Sequence, residues 1–288
     1  MSTLSSPSLA LTGVTGALGG MVARSLAADG VPFRAVARTP SKLPGRLAAD
    51  VRQAEFGDRG AVEAALQGIE TVLMVSGSES ADRLEQHRTF VDAAAAAGVR
   101  HVVYTSFVGA AADAVFTLAR DHGATEEHIR ASGMQWTFLR DSFYMDVMEP
   151  FAGEDGVIRG PAGDGRCALV ARSDVARSAA AVLRDPAAHA GATYDMTGPE
   201  ALSLTDVARI ITEVRGREVR FQDETIEEAY ASRAVYGAPD WQVDAWVSTY
   251  TAIGSGGMAT VSDAVERLTS EPPLSFEAFL RTASTSRL

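Results

Sequence analysis

The chain has 288 residues, 46% of them hydrophobic, enough to fill one large α/β domain or a core domain with a smaller lobe. With 37 acidic against 26 basic residues, the formal net charge of −11 repels phosphate backbones and anionic membrane surfaces, which argues against nucleic acid and membrane as partners and favours a small-molecule substrate. The only cysteine, Cys167, excludes an intrachain disulfide; no Cys or His spacing suggests a metal site, and a reducing cytoplasm fits.

The first seven residues, Met1 to Pro7, carry no basic region followed by an apolar run, and no uncharged apolar stretch approaches the roughly 18 residues that span a bilayer. Export and membrane insertion are therefore not expected. The apolar run Leu9-Ala10-Leu11 then breaks into Thr12-Gly13-Val14-Thr15-Gly16-Ala17-Leu18-Gly19-Gly20 before a helical segment. Strand, tight turn and helix start are the signature of a pyrophosphate cradle: Gly13 and Gly16 let backbone approach the phosphates, Gly19 lets the helix pack close to the strand, and the helix N-terminus supplies free N–H groups. The spacing G-x-x-G-x-x-G is one residue longer than the usual dinucleotide fingerprint, so the flanking strand and helix carry the reading.

Phe33 to Arg38 alternates as a second strand between Gly30, Pro32 and Pro40. A dinucleotide fold sets the residue ending this strand against the adenosine ribose, where an arginine accommodates a 2′-phosphate. That residue is Arg38, with Lys42 four positions on. Val51 to Asp58 reads as a third strand and turn whose Gly57 and Asp58 border the adenine; Arg59 to Gly68 reads as a helix. Thr71-Val72-Leu73-Met74-Val75 is a central parallel strand leaving through Ser76-Gly77-Ser78, followed by a helix from Asp82 to Gly98 and a fifth strand, Val99 to Ser106. The β-α-β alternation predicts a doubly wound parallel sheet with ligands beyond the carboxyl ends of its strands.

A helix from Ala114 to Ser132, a sixth strand from Gln135 to Arg140, and the exit Asp141-Ser142-Phe143-Tyr144-Met145 follow. A further helix (Asp174 to Leu183) and a strand (Ala192 to Met196) precede a helical final third. The expected organisation is a nucleotide-binding core over 1–149, completed by about 168–198, with 150–167 and 199–288 forming a smaller lobe that closes over the cofactor crevice. Tyr230, Tyr236, Trp241 and Trp246 are candidates for an aromatic pocket in that lobe or for its core.

In order, Thr12 to Gly19, Val36-Ala37-Arg38-Thr39-Pro40, Tyr104-Thr105-Ser106, His122-Gly123-Ala124-Thr125-Glu126 and Thr137-Phe138-Leu139-Arg140-Asp141 resemble the NmrA-like atypical short-chain dehydrogenases. The likeness is strongest to the NAD(P)H:quinone oxidoreductases of that group and continues through Ala162-Gly163-Asp164-Gly165, Arg172-Ser173-Asp174-Val175-Ala176 and Gly254-Ser255-Gly256-Gly257. It implies a Rossmann domain with a small α/β lobe, NADP(H) binding and a pocket beside the nicotinamide. Two features depart from the wider superfamily. Arg140-Asp141 stands where the family usually has Arg-Asn, which adds a negative charge near the pocket. The Tyr-x-x-x-Lys pair is lost: counting back from Glu126, its places fall at Leu118 and His122, and the sole lysine of the chain, Lys42, follows the cofactor strand.

Cofactor contacts are accordingly expected at Thr12, Gly13, Thr15, Gly16, Ala17, Leu18, Gly19, Arg38, Lys42, Gly57, Asp58, Ser76, Gly77 and Thr105, and acceptor contacts at Ser78, Asp141, Phe143 and Tyr144. His122, Ser106 and Tyr144 are the candidate catalytic groups, with Glu126 four residues on holding and charging the His122 imidazole. The leading expectation is an NADPH-dependent reductase of a small planar, electron-poor acceptor such as a quinone, working without the Tyr-Lys acid. A non-catalytic NADP(H) sensor and a carbonyl or imine reductase using another acid remain open, as does a homodimer.

Overall fold

Runs of apolar residues too short for helices become strands, and the longer amphipathic stretches between them become the covering helices. The structure, a computed structural model, describes residues 7–43, 47 and 50–285; the stretch Met1–Ser6, in which the sequence predicts no export signal, lies outside the described residues. In chain order the elements are β1 (Leu9–Leu11), α1 (Ala17–Ala28), β2 (Arg34–Ala37), β3 (Asp50–Gln53), α2 (Arg59–Leu66), β4 (Thr71–Met74), α3 (Arg83–Ala96), β5 (His101–Phe107), α4 (Thr117–Ala131) and β6 (Gln135–Asp141). Then come the single turn α5 (Met148–Phe151), β7 (Val157–Gly160), β8 (Arg166–Cys167), α6 (Arg172–Arg184), β9 (Ala192–Met196), β10 (Leu202–Ser203), α7 (Leu204–Arg215), β11 (Arg220–Asp223), α8 (Ile226–Arg233), α9 (Asp240–Gly254), α10 (Ala264–Thr269) and α11 (Phe276–Thr285).

Seven strands form one sheet in the order β3-β2-β1-β4-β5-β6-β9, with β1 parallel to β2 and β4, β2 parallel to β3, and β4 parallel to β5. This is the doubly wound Rossmann arrangement, extended by β9 beyond the sixth strand. The reversal of strand order at β1 brings the β1 and β4 exits side by side, and that junction is the usual ligand crevice of such sheets. Buried Arg34 ties the β2 edge down: its Nε donates to Asp50 Oδ2 at 2.7 Å, and its Nη1 to the carbonyls of Ala65 and Gln67. The third strand ends at Gln53 and gives way to the expected turn, in which residues 56–58 present the Asp58 carboxylate as the N-cap of α2.

The chain divides into two compact units. The first comprises 1–106, 121–140 and 175–194, with a core that includes Ala10, Val72, Val102, Phe90, Tyr104 and Phe138. The second comprises 107–120, 141–174 and 195–288. It carries two small sheets, β7 with β11 in parallel and β8 with β10 antiparallel, and the helices α7 to α11. Its core is built on Phe107, Phe143, Leu169, Ile211, Tyr250 and Phe276. The second unit is therefore comparable in size to the first, where the sequence predicts a smaller lobe. The reason is that 107–120 and 141–149, read as part of the nucleotide-binding core, contribute Phe107, Phe116 and Phe143 to the second core instead, their rings packed 4.9 to 5.1 Å apart.

Candidate active site

In the first unit the stretch between β1 and α1 has the shape of an anion cradle. Gly13 adopts φ +65°, a left-handed conformation natural to glycine, and its carbonyl accepts the Gly16 N–H at 2.9 Å. A Cβ at Gly19 would fall 2.4 Å from the Gly13 oxygen and 2.8 Å from that of Thr12, so only glycine lets α1 come this close to the strand exit. Gly16 is the N-cap, has no side chain to cap with, and the first turn holds no acid. The N–H groups of Ala17, Leu18 and Gly19 therefore have no partner within the helix, and the positive end of its dipole is uncompensated. Thr15, Gly16 and Ala17 are exposed, whereas the Leu18 side chain is buried and offers only its backbone. These residues fit a pyrophosphate.

The buried threonines expected to touch the cofactor have other partners. Thr12 Oγ1 donates to the Leu73 carbonyl at 3.0 Å and accepts the Val75 N–H at 2.9 Å. Thr105 Oγ1 accepts the Ser76 N–H at 2.9 Å and donates to Ser76 Oγ at 3.4 Å. Both hydroxyls stitch the β4 exit to its neighbouring strands and shape the ledge of Ser76 and Gly77. Arg38 follows β2 directly and is exposed, as is Lys42 at the end of a 3₁₀ turn from Pro40. Gly57 and Asp58 are exposed too, but one Asp58 oxygen accepts the Ala61 N–H at 3.0 Å as a helix cap. Ser78 lies exposed past the ledge.

The expected His122–Glu126 couple is replaced by two separate networks. Glu126, buried on α4, accepts from Ser106 Oγ at 2.6 Å and from Arg130 and Arg140, the latter in a two-pronged pair at 2.7 and 2.8 Å. The Ser106 hydroxyl is thus a buried partner of a carboxylate and not a free catalytic group. His122 accepts from Arg83 Nη2 on Nε2 at 2.8 Å, which leaves Nδ1–H to donate to the Tyr104 hydroxyl at 2.8 Å. Burial first, then the adjacent Arg83 cation, hold this imidazole well below its ordinary pKa, so it is neutral and not charged by a carboxylate. His87 is built the same way: Nε2 accepts the Gly77 N–H at 2.9 Å, Nδ1 faces Thr125 Oγ1 at 3.0 Å, and burial lowers its pKa to about 3. Arg83 also donates from Nε to the Gly77 carbonyl at 3.0 Å. Arg83 and His87 therefore fix both backbone groups of Gly77. Sequence reasoning missed them, because nothing local distinguishes an arginine on α3 from a surface cation.

The β6 exit, in the second unit, holds the remaining candidates. Phe143 is buried in its aromatic trio and packs the core of the second unit. Tyr144 is half-buried, its hydroxyl 2.6 Å from Asp141 Oδ2 and its ring under the Arg172 guanidinium at 4.6 Å. Asp141 is buried, and its Oδ1 has no hydrogen-bonding partner among the described residues. Burial raises its pKa to about 8, against the lowering effects of the Tyr144 hydrogen bond and Arg172. Asp141 is therefore predominantly a neutral acid at pH 7, not the negative charge read from the sequence.

A cavity of about 720 Å³ lies wholly within the second unit, with Phe151, Tyr236, Trp246 and Tyr250 among its walls. Of the four aromatics singled out in the sequence, Tyr236 and Trp246 line it. Exposed Tyr230 instead donates to Asp244 at 2.7 Å. Arg233, paired with buried Glu224 at 3.0 Å, lies over the Tyr250 ring. Gly160 lets that ring lie flat: a Cβ there would fall 2.2 Å from it.

The parallel sheet and the glycine-floored helix N-terminus define a Rossmann-type dinucleotide-binding protein. Residues 13–186 match the family described as NAD(P)H-binding, and the chain belongs to that family. Quinone oxidoreductase 2 of Escherichia coli (strain K12) is 36% identical over 272 residues, 92% of this chain and 94% of that protein. The NAD(P)H azoreductase of Xenophilus azovorans is 30% identical over 276 residues, 94% of this chain and 96% of that protein. The crystal structure of an NADPH-dependent quinone oxidoreductase from Escherichia coli, complexed with NADPH, superposes with a TM-score of 0.87 at 35% identity, covering 96% of this chain and 99% of that one. These relatives agree with the resemblance carried by the sequence motifs.

Proposed function

We propose that the chain is an NADPH-dependent oxidoreductase that reduces a small, planar, electron-poor acceptor such as a quinone. The observation that carries this function is the close packing of Gly19 on Gly13, an anion cradle at the head of α1. It sits in a chain that its quinone oxidoreductase and azoreductase relatives match over nearly their full lengths. Quinones and azo compounds share a conjugated, electron-poor system that takes up a hydride readily.

Bound dihydronicotinamide supplies the hydride. The chain binds and orients: Gly13, Thr15, Gly16, Ala17, Leu18 and Gly19 hold the pyrophosphate through backbone, and Arg38 with Lys42 meets the 2′-phosphate. Gly57 and Asp58 border the adenine. Ser76 and Gly77 form the ledge near the nicotinamide, kept in place by Thr12, Thr105, Arg83 and His87. Ser78 and Tyr144, as read from the sequence, are the proposed acceptor contacts. The Tyr-x-x-x-Lys acid is absent from this chemistry, and His122 supports the fold beneath it. Among the described residues no helix is long and apolar enough to cross a membrane. A reducing, cytoplasmic setting belongs to the same proposal, supported by a lone buried thiol, that of Cys167.

The test is steady-state oxidation of NADPH by the purified chain with a series of quinones. Turnover that saturates in both reactants is the expected result; tight NADPH binding without turnover of any acceptor would favour a sensor.

A further inference from the structure

The cavity of the second unit serves none of the steps above, yet its walls share one chemistry. Its apolar surface is largely ring surface: Phe151 and Tyr250 lie 6.0 Å apart, tilted by 35°, and Trp246 stands edge-on to Tyr236 at 5.7 Å. Helix α9 supplies Trp246, Thr249 and Tyr250 at i, i+3 and i+4, hence from one face. The cations in the walls are already matched. Arg233 Nη1 donates to Glu224 at 3.0 Å and to the Ala229 carbonyl at 2.8 Å, and its Nη2 donates to the Arg159 carbonyl at 2.9 Å. Arg159 Nη2 donates to Asp155 at 2.6 Å. Glu154 adds an exposed carboxylate, so the surplus charge at the wall is negative. The 3₁₀ turn Ala234–Tyr236, between α8 and α9, carries Val235 and Tyr236, which at 79% and 69% are the most exposed large hydrophobic side chains among the described residues. Tyr236 both lines the cavity and faces solvent, which places it at the mouth. Apolar side chains held in water beside an aromatic cavity mark a surface that a ligand covers.

We propose that this cavity is a binding site for an uncharged, flat aromatic molecule of two or three fused rings, held against Phe151, Tyr236, Trp246 and Tyr250. A volume of about 720 Å³ falls within the span of small-molecule sites, roughly 300–1,000 Å³. Offset and edge-on contacts with these rings supply the attraction. An anion would meet Glu154 and find both guanidiniums engaged by carboxylates. A cation would gain the faces of the rings but would lie against Arg159 and Arg233. An uncharged ring system keeps the ring contacts and meets neither penalty. Every wall residue belongs to the second unit, and none is among the expected nucleotide contacts, so the site fills without nucleotide, whether or not the chain reduces quinones.

The test uses the full chain labelled with 5-fluorotryptophan, titrated with 2-naphthol at pH 7 without nucleotide and followed by fluorine NMR. Three tryptophans report. The Trp246 resonance, assigned with Trp246→Phe, should shift saturably with a Kd on the order of 100 μM, the affinity that a ligand of this size reaches at ordinary efficiency. The resonance of Trp136, in the first unit, should stay where it is. Tyr236→Ala removes a ring that is mostly in solvent, so its melting temperature should stay within about 2 °C and its NADPH affinity within about twofold, while 2-naphthol binds at least about fivefold more weakly. The same ring system bearing either charge, as 2-naphthoate or as trimethyl(2-naphthyl)ammonium, should bind at least about tenfold more weakly than 2-naphthol. A Trp246 resonance that does not move, or a 2-naphthol affinity unchanged in Tyr236→Ala, would overturn the site. A charged analogue that binds as tightly as 2-naphthol would overturn the ligand class.

Discussion

A Cβ on residue 19 would lie 2.4 Å from the carbonyl oxygen of Gly13, closer than any carbon and oxygen can approach without bonding. The α1 helix and the β1 exit are therefore packed at backbone contact, and the free N–H groups of the first turn are held where a phosphate would meet them. Gly16 differs: a Cβ there would find only the Gly13 oxygen, at 3.3 Å, and otherwise open space.

The two glycines should consequently fail in different ways. Gly19→Ala should both lower the melting temperature and weaken NADPH binding by more than a hundredfold, or about 2.7 kcal/mol, because the helix must move. Gly16→Ala should leave the melting temperature within about 2 °C, a change worth under roughly 1 kcal/mol in a chain of this size, yet still weaken NADPH by intruding on the phosphate. Thermal melts and fluorescence titrations of both variants check this; equal melting behaviour would remove the distinction.

Arg38 is the exposed residue immediately after β2, with exposed Lys42 close behind. A guanidinium forked onto a 2′-phosphate makes charge-assisted bonds worth about 1.5–3 kcal/mol, roughly ten- to a hundredfold in affinity. NADPH should bind more tightly than NADH by about that ratio, and Arg38→Ala should erase most of the preference by weakening NADPH alone. Titration of both cofactors against both proteins is decisive, and a wild type that binds them equally would contradict the assignment.

The strands, the helices and the glycine loop were legible because each is a local pattern: a 2 or 3.6 period, a turn residue, a cap. The readings that changed all depend on distant partners. That His122 faces Arg83 and Tyr104, while Glu126 faces Ser106 and Arg140, follows from how α4 packs against α3 and β5, and helix spacing alone suggests the pair that does not form. Thr12 and Thr105 occupy motif positions, but their hydroxyls are drawn to the β4 backbone. The charge of Asp141 could not be read from its identity, since it depends on an enclosed oxygen with no partner.

His122 is neutral, enclosed and hydrogen-bonded at both nitrogens. His122→Gln should therefore lower stability by about 1–3 kcal/mol, the cost of leaving buried partners unsatisfied, while quinone kcat falls less than about tenfold. Denaturant melts and kcat measured side by side separate the two effects. A loss above a hundredfold with NADPH affinity intact would make this histidine the acid.

Asp141 also sets a pH dependence of stability. Its folded-state pKa is raised from 3.8 to about 8, so folding takes up a proton between those values. The acid form's contribution is fully present below pH about 4 and is lost as pH rises through about 8. From pH 5 to 9 the melting temperature of the wild type should fall by several degrees more than that of Asp141→Asn, which has no proton to lose, at roughly 2–4 °C per kcal/mol. Parallel pH series of thermal melts give the answer, and curves that run parallel would show that Asp141 is ionised throughout.

The most direct test of the central claim is NADPH oxidation followed by absorbance in the presence of 1,4-naphthoquinone, with hydroquinone measured as product. Stoichiometric, saturable turnover that persists in His122→Gln and falls with Gly16→Ala is the predicted result. Tight NADPH binding with no quinone, azo compound or ketone reduced at any pH from 5 to 10 would contradict it.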